Sequence, residues 1–169
     1  MSPRVSDAAA PVNQDQLRDA LESFLRRGGR SEAVVHGLKQ LSGGASCRVY
    51  AFDLSAPGRG EPQALVLRLD AVGGGTQGSR LEEHALLAAA ARAGVTVPAV
   101  HACGTSAEGL GGDFFVMDRV PGEALARRLL RDERYATARA ALPAQLGREL
   151  ARTHSIDLGD PQLAFLAAR

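Results

Sequence analysis

The chain has 169 residues, 45% of them hydrophobic, enough for one domain or two small lobes, and with 4% aromatics and no Trp, Leu, Val and Ala must build most of its core. A net charge of +1 argues against the field of a nucleic-acid binder, and no apolar run reaches the roughly 18 residues of a membrane span. Cys47 and Cys103 are the only cysteines and lack CxxC spacing, which argues against a structural zinc and predicts buried, reduced thiols in a cytoplasmic protein; Lys39 is the only lysine, so any mechanism needing a Lys elsewhere is excluded.

Residues 1–12 are polar and rich in Ala and Pro, and are expected to fray; no apolar stretch resembling a signal-peptide core follows Met1-Ser2-Pro3-Arg4. Asn13 and Gln16 have capping-box spacing, Leu17, Leu21, Phe24 and Leu25 recur at helical spacing, and Gly28-Gly29 closes that helix. Three strands follow, at 33–41, 47–54 and 64–70. The first pair is joined by Ser42-Gly43-Gly44-Ala45-Ser46 and the second by "SAPGRGEPQ". After a glycine-rich loop at 71–78, Ser79 caps a helix that ends at Gly94. A short strand is expected near Val100–Cys103 and an apolar strand over 114–120, stopped by Pro121-Gly122. The remainder is helical, and Pro143 is expected to start the last long helix. This order lacks the alternation of a parallel α/β sheet. Pro121-Gly122 is the expected lobe boundary, with strands before it and helices after it.

Four stretches have chemical potential. The turn Ser42–Ser46 has neither P-loop nor GxGxxG order, yet its glycines could expose backbone N–H groups as an anion nest; the plain alternative is a hairpin turn. Arg68 lies inside the apolar run "ALVLRLD", where it is either solvent-facing or paired. Glu82 and Glu83 fit the wet face of a helix, but a glutamate facing Arg68 could orient its planar fork toward phosphate oxygens. "FFVMDRVPG" is either a core strand or a connector whose backbone recognises a purine edge between apolar walls.

In this order the stretches resemble the N-terminal half of the aminoglycoside phosphotransferase family, the choline-kinase-like branch of the protein-kinase fold. The carrying residues are "LSGGASCRVYAFDL", "LVLRLD", "LEEHALLAAAARAGVTVPAVHACG", "GGDFFVMDRVPGEAL" and "LGRELARTHSID", roughly 34–157. The third strand is most similar to the subgroup related to the kinase-like domains of acyl-CoA dehydrogenase families ten and eleven. The resemblance implies an α+β fold: a protein-kinase-like N-lobe, with about five antiparallel strands and one long helix, then the first helices of a truncated C-lobe. The implied organisation is a flexible 1–12, a nucleotide-binding lobe at 13–120 and an incomplete helical lobe at 121–169.

By the same resemblance, Ser42, Gly43, Gly44, Ala45 and Ser46 cover the phosphates of ATP (or GTP). Arg68 takes the place of the phosphate-binding lysine, with Glu83 as its partner and Glu82 as the alternative. Met117 precedes the connector, the Asp118 carbonyl and Val120 amide contact the base, and Val49, Val66 and Val100 wall it. The family's His-Gly-Asp run, its following Asn and its magnesium-binding Asp have no match here; Asp157 and Asp160 stand in other contexts, and His154 is read as structural. Magnesium is therefore expected only in a complete enzyme, and this chain alone is expected to be inactive. The implied function is the ATP-binding portion of a kinase passing the γ-phosphate to a small-molecule hydroxyl; the alternative is a non-catalytic nucleotide-binding or protein-interaction module. The expected partners are a nucleotide and, in the complete enzyme, a hydroxyl acceptor, with self-association through exposed apolar surface on 123–156. Neither nucleic acid nor membrane is expected.

Overall fold

In α1 (Gln14–Arg27) the Asn13 side chain accepts from the Gln16 backbone N–H while the Gln16 side chain accepts from that of Asn13, the capping box its spacing predicts. The structure, a computed structural model, describes residues 13–41, 47–58, 60–70 and 79–167. Of these, residues up to His84 together with Val100–Arg119 form one compact unit, and Ala85–Ala99 together with the residues from Val120 onward form a second.

The first unit is a five-stranded antiparallel sheet of β1 (Val34–Leu41), β2 (Cys47–Ser55), β3 (Gln63–Asp70), β4 (Val100–Gly104) and β5 (Phe114–Asp118), in the order β1-β2-β3-β5-β4. β-branched and aromatic residues favour these strands, and alternation gives each two faces. On one face Phe52, Leu65, Leu67, Leu69, Phe114 and Val116 join Leu17, Leu21 and Leu25 of α1 in a single buried cluster. Burying each of these leucines contributes roughly 1.5–3 kcal/mol. Polar ties fix α1 to β1: Glu22 accepts from the Val35 N–H at 2.8 Å, Arg26 Nε donates to the Ala33 carbonyl at 2.9 Å, and Gln14 donates to the Leu38 carbonyl.

α2 (Arg80–Arg92) starts at Ser79, whose hydroxyl accepts from the Leu81 N–H. It ends at Gly94, left-handed at φ +77°, with the Val95 N–H closing back onto the Ala90 carbonyl. β5 stops at Asp118 rather than at 120: the Arg119 N–H makes a last bond to Ala64, and Pro121, which has no N–H, follows two residues on.

The second unit contains α3 (Ala126–Arg131) and α4 (Ala136–His154). Pro143 does not begin α4 but lies inside it. The helix grows from a 3-10 turn at Glu133–Tyr135, and strong helix formers on both sides carry it through the proline. Polar contacts organise the unit: Glu149 accepts from the Thr96 backbone N–H and hydroxyl at 2.8 and 3.0 Å, and Arg92 donates to Asp160 at 2.5 Å. These donors hold the Glu149 carboxyl below its ordinary range. No helix among the described residues is long and apolar enough to cross a membrane.

Candidate functional site

The sheet face turned away from α1 collects the residues singled out in the sequence. Directly paired residues share a face. One transverse row reads Val49, Arg68, Phe115, Cys103, and the next reads Ala51, Val66, Met117, Val100. The register therefore brings Val49, Val66, Val100, Met117 and Arg68 together on one face. Val66 and Phe115 are buried, and Val49 and Met117 are half-buried. The result, along these two rows, is an apolar surface with the guanidinium of Arg68 in it.

Arg68 is paired and half-buried. Its Nη1 lies 3.0 Å from Glu83 Oε1, its Cζ stands 5.9 Å from the centre of the Phe115 ring, and its Nη2 has a weak contact to Cys47 Sγ at 3.5 Å. Its Nε is buried without a hydrogen-bond partner among the described residues. A buried donor left unsatisfied costs about 1–3 kcal/mol, a cost the other contacts of this guanidinium must offset.

The structure resolves the choice between the two glutamates as partner of Arg68. Glu82 Oε2 accepts from the Ser79 backbone N–H at 3.2 Å, completing the N-terminal cap of α2. Glu83, one position on and so turned to another side of the helix, reaches Arg68. Its second oxygen takes Arg80 Nη1, and Arg80 Nε lies 2.8 Å from Asp70 Oδ1. That last contact is close but poorly angled, leaving both atoms without a proper hydrogen bond. Burial, aided by nearby Asp113, raises the Asp70 carboxyl above its ordinary value against the pull of Arg80. Burial lowers His84, whose ring packs edge-on to Phe115 at 6.4 Å.

At the other end of β3 the connector is pinned by side chains. His101 Nε2 lies 2.6 Å from Asp118 Oδ1, and Gln63 Nε2 reaches the same oxygen at 3.3 Å. Arg119 pairs with Asp53 at 2.7 Å. Val120 lies beyond β5, in the second unit, and is 65% exposed. Ser42, Gly43, Gly44, Ala45 and Ser46 lie outside the described residues. Cys47 is buried and Cys103 only half-buried, and both are free thiols; desolvation raises the Cys103 thiol.

Sequence reasoning missed Arg80, Asp70 and His101. Arg80 had left a signal: it is a cation in the first turn of a helix, where the macrodipole disfavours positive charge. His101 left none, because its pairing depends on a bulge between Val100 and Ala102 that periodicity does not reveal.

An antiparallel five-stranded sheet, a helix whose glutamate pairs with an arginine on the third strand, and helices after the fifth strand define the α+β fold of kinase-like phosphotransferases. The chain belongs to the phosphotransferase enzyme family (APH), whose model matches residues 37–169. It is also similar to a crystal structure from Ralstonia eutropha JMP134 provisionally described as an aminoglycoside phosphotransferase, at 25% identity and a TM-score of 0.57 over 83% of this chain. The chain spans 38% of the length of that structure. Among curated proteins none matches.

Proposed function

We propose that this chain is the nucleotide-binding portion of a small-molecule kinase, in which ATP (or GTP) lies on the face formed by Val49, Val66, Val100 and Met117. The observation that carries this reading is Arg68: its guanidinium stands among the apolar residues of this face, oriented by Glu83. The apolar residues would wall the base, the carbonyl of Asp118 would meet its edge, and Ser42–Ser46 would cover the phosphates. The arginine in the place of the usual lysine supports a kinship with the subgroup related to acyl-CoA dehydrogenase families ten and eleven.

Among the described residues no three His, Cys, Asp or Glu side chains converge to hold a metal ion. On this reading the catalytic base, the metal ligands and the choice of hydroxyl acceptor belong to other parts of the family fold. Aminoglycosides, choline-like alcohols, sugars and hydroxyacyl thioesters are the acceptors to screen.

The test is calorimetric titration of the nucleotide into the chain. Saturable binding that weakens about tenfold or more in Arg68→Gln is expected, because a charge-assisted bond contributes about 1.5–3 kcal/mol. Equal affinity in the variant, or no saturable binding by the parent chain, sinks the proposal. A non-catalytic interaction module is a second reading, favoured by the exposed leucines Leu142, Leu146 and Leu150 along α4. Phosphate transfer by the chain to any acceptor screened would overturn that second reading.

A further inference from the structure

Arg80 is the one charged residue that is buried among the described residues, at 6% exposure. Its position is doubly unfavourable. A guanidinium out of water costs several kcal/mol unless paired, and a cation in the first turn opposes the helix dipole. Neither cost is required to start α2, since Ser79 and Glu82 already cap it.

The contacts of Arg80 suggest what the costs sustain. Glu83 divides its carboxylate: Oε1 goes to Arg68 Nη1 at 3.0 Å, and Oε2 goes to Arg80 Nη1. Arg80 is held from behind by Asp70, with Nε 2.8 Å from Oδ1. The four side chains form a neutral relay from the end of β3 through the first turn of α2 and back to the middle of β3. With Arg80 drawn to one oxygen of Glu83, Arg68 is met by the other oxygen alone. Among the described residues, Arg68 Nε is buried without a partner and Nη2 meets only a thiol.

We propose that Arg80 is a positioning residue for the nucleotide phosphates, acting through Glu83 to hold Arg68 by a single carboxylate oxygen and to keep the local charge balanced. The inference rests on the nucleotide reading given above. Without Arg80, Glu83 turns and grips Arg68 with both oxygens, as carboxylate and guanidinium prefer. The cluster of Arg68, Glu83 and Asp70 then carries a net negative charge facing the phosphates. Only the phosphate part of the ligand feels either change.

The test compares MgATP with adenosine, by calorimetry, on the parent chain and on Arg80→Gln, Arg80→Lys and Arg68→Gln. The expected result is a loss of about tenfold in MgATP affinity for Arg80→Gln with adenosine affinity unchanged. Arg80→Lys, which restores the charge, recovers most of that loss. A general structural role would weaken both ligands together, and that outcome overturns the proposal. An unchanged ratio in Arg80→Gln, with a collapsed ratio in Arg68→Gln, overturns it while leaving the phosphate site in place. A ratio unmoved by Arg68→Gln overturns the nucleotide reading and this inference with it. Where Arg80→Gln does not fold, Asp70→Asn removes the rear support of Arg80; a selective loss of MgATP affinity supports the proposal, and its absence counts against it.

Discussion

Gly104 ends β4 against the ring of Phe114, its partner in the ladder. A Cβ built there would stand 2.7 Å from Phe114 Cζ, well inside contact distance. The ring cannot swing aside, because it is fully buried and packs edge-on against Phe24 with centroids 4.9 Å apart. Gly104→Ala should therefore destabilise the chain by about 1–3 kcal/mol, the range for overpacking a tight core. A denaturant titration that gives an unchanged midpoint would show that the ring yields. His84 carries a second prediction at this scale. Burial lowers it from its ordinary value of 6.5, so the folded state resists its protonation. The stability this residue leaves intact above 6.5 is lost as pH falls from 6.5 through the folded value. His84→Gln should flatten that part of the stability profile; an identical slope in the variant would assign it to other groups.

At the scale of elements, Pro143 separates what a sequence reveals from what it hides. A proline is a strong signal for a helix start, since its missing N–H costs nothing in the first turn. Inside α4 the same proline leaves the Arg139 carbonyl without its usual helical partner. Pro143→Ala should restore that bond and stabilise the helix by up to about 3 kcal/mol, read as a higher melting temperature. A lower one would mean that the ring packs better than a methyl group. The other elements were legible because their signals are local: the Asn13 capping box, the Ser79 cap, the Gly94 stop and the run of Leu and Val along β3. The site was legible only in part, for a physical reason. Alternation puts Val66 and Arg68 on one face of β3, and the observed register adds Val49 and Met117 to it. The relay through Arg80 and Asp70 was not, because it joins a strand end to a helix start across residues whose course the sequence does not dictate.

On the scale of the whole chain, apolar burial is unequal. Nearly all the buried apolar residues lie in the first unit; in the second, among the described residues, only Ala89 and Leu163 do. Along α4 three leucines spaced four apart fall on one stripe, with Leu142 at 43%, Leu146 at 59% and Leu150 at 55% exposure. Such a stripe does little for folding, because its carbons remain in water, and exposed apolar patches of this kind drive association. The double variant Leu146→Gln, Leu150→Gln should then leave the unfolding free energy within about 0.5 kcal/mol of the parent, as exposed substitutions do. Helix propensity does not oppose it, since Gln and Leu are nearly equal. In the same variant, the rise of weight-average mass with concentration in sedimentation equilibrium should diminish. A melting temperature several degrees lower would show instead that the stripe is buried in the stable form of the chain. A parent chain that stays monomeric at high concentration would remove the association argument, leaving the leucines as ordinary exposed residues of a polar-tied helical unit.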